Sequence, residues 1–108
     1  MNQFELFCMV FYALDAQWDE SQDPQLGEFL SSANPFLFED IGSADPAVYS
    51  DFCQVITEPI TLENSYELAT QYIATLWKEV IAKAFSGIEQ DEWMECVQDY
   101  LAGPHKGA

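Results

Sequence analysis

Nineteen acidic side chains stand against three lysines and no arginine, and this imbalance limits the folds open to the chain more than any other feature. With so few cations to pair, nearly every carboxylate has to lie in water, because an unpaired buried charge is costly. The formal net charge of -16 also sets up self-repulsion, which salt screens over about 8 to 10 Å at physiological ionic strength. Compactness therefore has to come from apolar burial. Apolar residues make up 49% of the chain and aromatics 15%, enough for one core in 108 residues and too much for a disordered segment.

The apolar residues recur with helical period. Phe4, Phe7, Cys8, Phe11, Leu14 and Trp18 share one face of a helix over residues 3–18, and Leu6, Met9, Val10, Tyr12 and Ala13 fill most of the rest. A helix apolar nearly all round is either central or at an interface. Asp23-Pro24 and Asp45-Pro46 each read as an N-cap followed by proline in the first turn. The first starts a short helix with Leu26, Phe29, Leu30 and Ala33 on one side, stopped at Asn34-Pro35. The second starts a helix carrying Val48, Tyr49, Phe52, Val55 and Ile56, closed by Pro59.

Asn64 with Glu67 resembles a capping box. It opens one long expected helix whose stripe is Ala69, Tyr72, Ile73, Leu76, Trp77, Val80, Ala84 and Phe85, with Gly87 as C-cap. A last helix runs from about Glu89 to Leu101, turning Trp93, Met94, Val97, Tyr100 and Leu101 inward, and Gly103-Pro104 stops it. The expectation is all-α: a single domain over residues 1–103, about five helices in an irregular or orthogonal bundle, and a flexible tail at 104–108. Between Asn34 and Pro46 the connection carries Phe36, Leu37, Phe38 and Ile41. Phe36, Phe38 and Ile41 are expected to plug the end of the core, with an exposed binding patch as the alternative.

Catalytic constellations are sparse. The one histidine, His105, lies in the expected tail, so a Ser-His or Cys-His nucleophile pair has no placed base. Cys8, Cys53 and Cys96 are odd in number and lack zinc spacing, and they read as free, buried thiols of a reducing compartment. In the cluster Asp15, Asp19, Glu20 and Asp23, an EF-hand loop needs Gly at its sixth place and Glu at its twelfth. Counted from Asp15 those places hold Glu20 and Leu26, and from Asp19 they hold Pro24 and Leu30. No metal, cofactor or catalytic residue is assigned. A carboxylate-pair hydrolase is the least favoured alternative, since sequence cannot pick one pair from nineteen acids.

The sharpest surface signal is on the last helix. Asp91, Glu95 and Asp99 recur at every fourth position with Glu92 beside them, a stripe of like charge that costs a few tenths of a kcal/mol per pair. Such a stripe suits Lys and Arg on another protein, with Trp93, Trp18 and tyrosines as apolar anchors; the second candidate patch is Asp15, Asp19, Glu20 and Asp23. Nucleic acid and anionic membrane are poor partners for a surface without basic clusters. The apolar run Leu6–Leu14 falls short of the roughly 20 residues of a membrane helix and has Glu5 where a signal peptide has basic residues. A cytoplasmic location is expected.

In size and acidity the chain is similar to the helical immunity proteins that neutralise bacterial nuclease toxins, a resemblance that carries no motif and no residue roles. It implies a small non-enzymatic protein that binds a basic partner by occlusion. The alternative is a structural or regulatory subunit that self-associates, a homodimer through the first helix.

Overall fold

Asn2 opens the first helix, and it does so by reciprocal capping. Its side chain accepts from the Glu5 amide at 2.7 Å, and Glu5 Oε1 accepts from the Asn2 amide at 2.8 Å. The computed structural model describes the backbone of residues 1–108 and every side chain except those of residues 19–21. The helices are α1 (Gln3–Ser21), α2 (Pro24–Ala33), α3 (Pro46–Val55), α4 (Leu62–Thr75), α5 (Glu79–Ser86) and α6 (Gln90–Ala102). The all-α expectation holds, with six helices in place of five. A Cα radius of gyration of 12.8 Å matches the value of about 13 Å for one compact unit of this length.

Both Asp-Pro starts work as expected. Asp23 accepts from the Gln25 amide at 2.9 Å, Asp45 from the Ala47 amide at 3.1 Å, and each proline occupies the first turn. The start of α4 differs. Its N-cap is Thr61, with Asn64 as the reciprocal partner, and Asn64 is not itself the cap.

The extra helix comes from a break in the long expected one. Leu76 ends α4, Trp77 takes a left-handed backbone at φ 55, and Lys78 caps α5. The reason is helical phase. Ile81 lies nine residues after Tyr72, or about two and a half turns at 3.6 residues per turn, so in an unbroken helix the two would face opposite ways. Both are buried, and the break re-phases the chain so that each reaches the interior. Trp77, expected in the core, is turned out by the same break and is 93% exposed.

α1 touches all five other helices, which resolves its all-round apolarity. Phe4, Leu6, Phe7, Cys8, Met9, Val10 and Leu14 are buried, and Tyr12 is its exposed large side chain. Phe7, Phe52 and Tyr72 stack edge to face through the centre, with centroids 5.1 and 4.7 Å apart. Trp93 is core and not a surface anchor: it is 1% exposed, and its indole N–H donates to Ser65 Oγ at 2.9 Å. Trp18 is half-buried, laid over Gly27 of α2. No helix among the described residues is long and apolar enough to cross a membrane.

Residues 104–108, expected as a tail, lie against α1 and the loop after α2. Asn2 Nδ2 donates to Gly107 O at 2.8 Å, and Tyr100 Oη donates to Lys106 O at 3.3 Å. Gly107, at φ 87, brings its Cα so close to Phe4 that a Cβ would sit 2.5 Å from the ring; only glycine fits both constraints.

Candidate functional site

The α6 stripe is where the sequence places it. Asp91, Glu92, Glu95 and Asp99 are all exposed, and Asp91 and Glu92 lie in the first turn, where the helix dipole favours acids. Among the described residues the single ion pair is His105 with Glu5, so the stripe carboxylates carry no intramolecular cation.

Three of the four converge on one feature. Cys96, expected to be buried, is exposed on α6. Partial desolvation, and then the charges of Glu92, Glu95 and Asp99, push its thiol above the ordinary value. Cys96 and Glu92 also line a groove between α1 and α6 of about 120 Å³, completed by Met9, Tyr12, Ala13, Ala16, Gln17, Ile88 and Trp93. The groove is mostly apolar, with Glu92 as its one acidic lining residue. Asp91 is not among its lining residues.

Of the second patch, two side chains are described. Asp23 is committed to capping α2, and Asp15 is exposed on α1 beside a separate shallow hollow with Phe11, Trp18, Gly27, Leu30, Ser31 and Asn34. The side chains of Asp19 and Glu20 lie outside the described residues. No group of three or more His, Cys, Asp or Glu side chains with metal-binding geometry occurs among the described residues.

The loop after α2 takes the alternative of an exposed patch over the expected core plug. Phe36, Leu37, Phe38 and Ile41 do not plug the core: they are 38, 60, 61 and 54% exposed. Pro35 is the residue that goes inside. Asn34 Oδ1 accepts from the Phe36 amide at 2.9 Å, and the Ala44 and Asp45 amides close the loop's base on Asn34 O and Ser32 O at 2.9 and 2.8 Å. Lys106 Nζ then donates to Pro35 O and Phe38 O, each at 2.6 Å, and stands 5.4 Å from the Phe4 ring centroid.

His105 beside it has both ring nitrogens engaged. Nδ1 faces Gly103 O at 2.7 Å and Nε2 faces Glu5 Oε2 at 2.5 Å. Two acceptors call for two donors, which only the imidazolium supplies. Accordingly the Gly103 carbonyl first, and then Glu5, hold the His105 pKa above its ordinary value. Burial pushes the Glu5 carboxyl up, but the Asn2 amide, His105 and the N-terminal charge together outweigh it and leave the group below its ordinary value. The histidine is thus committed to a structural contact. Cys8, raised by burial to about 11, is an inert core thiol.

Compared with protein-family models, curated proteins and solved structures, the chain has no match.

Proposed function

We propose that this chain is a small non-enzymatic interaction protein that binds a basic surface of another protein through the α1–α6 face. What supports the reading is the exposed run of Glu92, Glu95 and Asp99 on α6, with Glu92 and Cys96 lining an apolar groove and no ion pair of the three carboxylates among the described residues. Desolvating carboxylates against solvent alone is unfavourable, whereas a partner's Lys or Arg supplies the counter-charge as it excludes water. The mechanism is occlusion: the protein covers a cationic site and performs no bond chemistry.

A nuclease's phosphate-binding site is the kind of surface that fits, because it gathers Lys and Arg to hold a polyanion. An inhibitor or immunity role toward such an enzyme is the finer form of the proposal.

The test is capture from host lysate at physiological salt with wild type and with the Glu92→Gln/Glu95→Gln/Asp99→Asn variant. The expected result is a basic protein retained by wild type and lost by the variant, whose purified form is inhibited by wild type in a nuclease assay. Equal capture by both proteins would remove α6 from the binding face.

A further inference from the structure

Four large apolar side chains exposed in one loop are a standing cost in water, and a loop free to collapse would hide them. This one is not free. The Asn34 turn, the two amide closures at its base and the double grip of Lys106 fix the backbone so that Leu37, Phe38 and Ile41 point outward. A pre-set apolar surface loses little entropy when it is covered, which is how binding surfaces gain affinity. Exposed apolar patches rimmed by polar groups mark interaction sites.

The loop is continuous with the α1–α6 groove through one residue. Tyr12 lines the groove and is 44% exposed. Its ring lies 5.2 Å from that of Phe36 and 5.9 Å from that of Tyr100. The apolar strip therefore runs from Cys96 and Ala16 over Tyr12 to Phe36 and on to Leu37 and Phe38. Acids border it: Glu92, Glu95 and Asp99 on α6, and Glu39 and Asp40 within the loop, all exposed. The nearby cation, Lys106, spends its ammonium on the Pro35 and Phe38 carbonyls.

We propose that the Phe36–Ile41 loop and the α1–α6 groove form one binding strip for a cationic amphipathic helix of the partner protein. The inference rests on the function proposed above and specifies its partner. An apolar strip with acidic flanks is the complement of a helix with apolar residues at every third or fourth position and Lys or Arg on either side. A second copy of the chain does not fit, because each copy carries a net charge of -16 and the same acidic flanks. An anionic membrane fits no better.

The probe is a dye-labelled Leu/Lys peptide of about five helical turns with its leucines on one face, compared with the same composition in shuffled order. Binding is read by fluorescence anisotropy at physiological salt. Wild type is expected to bind the amphipathic peptide at least about tenfold tighter than the shuffled one, the scale of one or two buried anchor residues. The Leu37→Ser/Phe38→Ser variant should lose that preference and bind both peptides equally. Ile41→Ser, more than half exposed like the other two positions, serves as a second loop variant, and circular dichroism checks that each retains its helices. The Glu92→Gln/Glu95→Gln/Asp99→Asn variant should weaken both peptides and flatten the salt dependence.

A loop variant that keeps the preference overturns this inference while leaving the proposed function standing. An acid variant that binds like wild type overturns the proposed function itself. Binding of wild type to phosphatidylserine-containing vesicles, without any peptide preference, would assign the strip to lipid and end the inference as stated.

Discussion

Replacing Trp77 by alanine separates two structures that the sequence alone allows. In a continuous helix over residues 64–86 this tryptophan is core, and truncating a core tryptophan costs about 3 to 5 kcal/mol. In the observed structure it is 93% exposed, so less than a tenth of its surface is withheld from water. A fully buried aromatic hides at most about 250 Å². A tenth of that is about 25 Å², worth about 0.6 kcal/mol at 25 cal/mol per Å².

Trp77→Ala should therefore shift urea-unfolding stability by less than about 1 kcal/mol, while Trp93→Ala, at 1% exposure and with its Ser65 bond, should cost about 3 to 5 kcal/mol. The left-handed backbone at φ 55 adds a second arm. Alanine strains there by about 1 to 2 kcal/mol and glycine does not, so Trp77→Gly should be more stable than Trp77→Ala, by about 0.5 to 1 kcal/mol after glycine's extra chain entropy. A loss above about 2 kcal/mol for Trp77→Ala, or alanine outranking glycine, would refute the α4–α5 break and the phase argument behind it.

The Glu5–His105 pair gives a pH signature. Glu5 titrates below its ordinary 4.5 in the fold, so its contribution is present above that pH and fades as acid protonates it; His105 titrates above its ordinary 6.5, so its contribution is full below that pH and is lost as alkali removes the proton. The stability gap between wild type and His105→Gln should be widest between pH 4.5 and 6.5 and narrow on either side; a gap that does not change with pH would exclude the imidazolium contact. Gly27→Ala brings a Cβ within 2.9 Å of the Trp18 ring and should cost about 1 to 3 kcal/mol by crowding, whereas in a Trp18→Leu background the same change should gain up to about 1 kcal/mol of helix propensity; chemical denaturation of the four proteins decides it. Lys106→Met removes two charge-assisted bonds to the loop and should speed amide exchange in residues 36–41 by about tenfold or more, with exchange in α1 unchanged; equal exchange in the loop would mean that Lys106 does not hold it.

What could be read from the sequence followed the range of the interactions involved. α2 and α3 were legible because Asp23-Pro24 and Asp45-Pro46 settle their starts within three residues. The burial of α1 was legible because its apolar positions leave no polar face to turn outward. The break at Trp77 was not, since no glycine or proline marks it; Tyr72 and Ile81 are both buried, and a single helical stripe over residues 69–85 runs through Val80 and passes over Ile81. The loop and the C-terminal residues depart from the core-plug and tail expectations for the same reason. Phe38 is held outward by a lysine 68 residues away, and His105 is ordered by a glutamate 100 residues away. On the candidate site, the stripe Glu92, Glu95 and Asp99 was visible as spacing. Its apolar counterpart, Tyr12 with Phe36, is assembled only by the fold.

The acidity and the exposed loop constrain each other. Leu37, Phe38 and Ile41 on an uncharged protein of this size would favour self-association, since exposed apolar patches of that kind are aggregation liabilities. Here two approaching copies each bring a net charge of -16, and Glu39 and Asp40 sit within the patch itself, so like charges meet before the apolar side chains do. Against a cationic helix the same carboxylates change sign of effect, accelerating approach and stabilising the contact. One charge pattern thus excludes the wrong partner and selects the right one. Added salt should accordingly weaken the peptide complex and, at high enough concentration, let the free protein begin to associate through the loop, a concentration-dependent rise in light scattering that Leu37→Ser/Phe38→Ser abolishes.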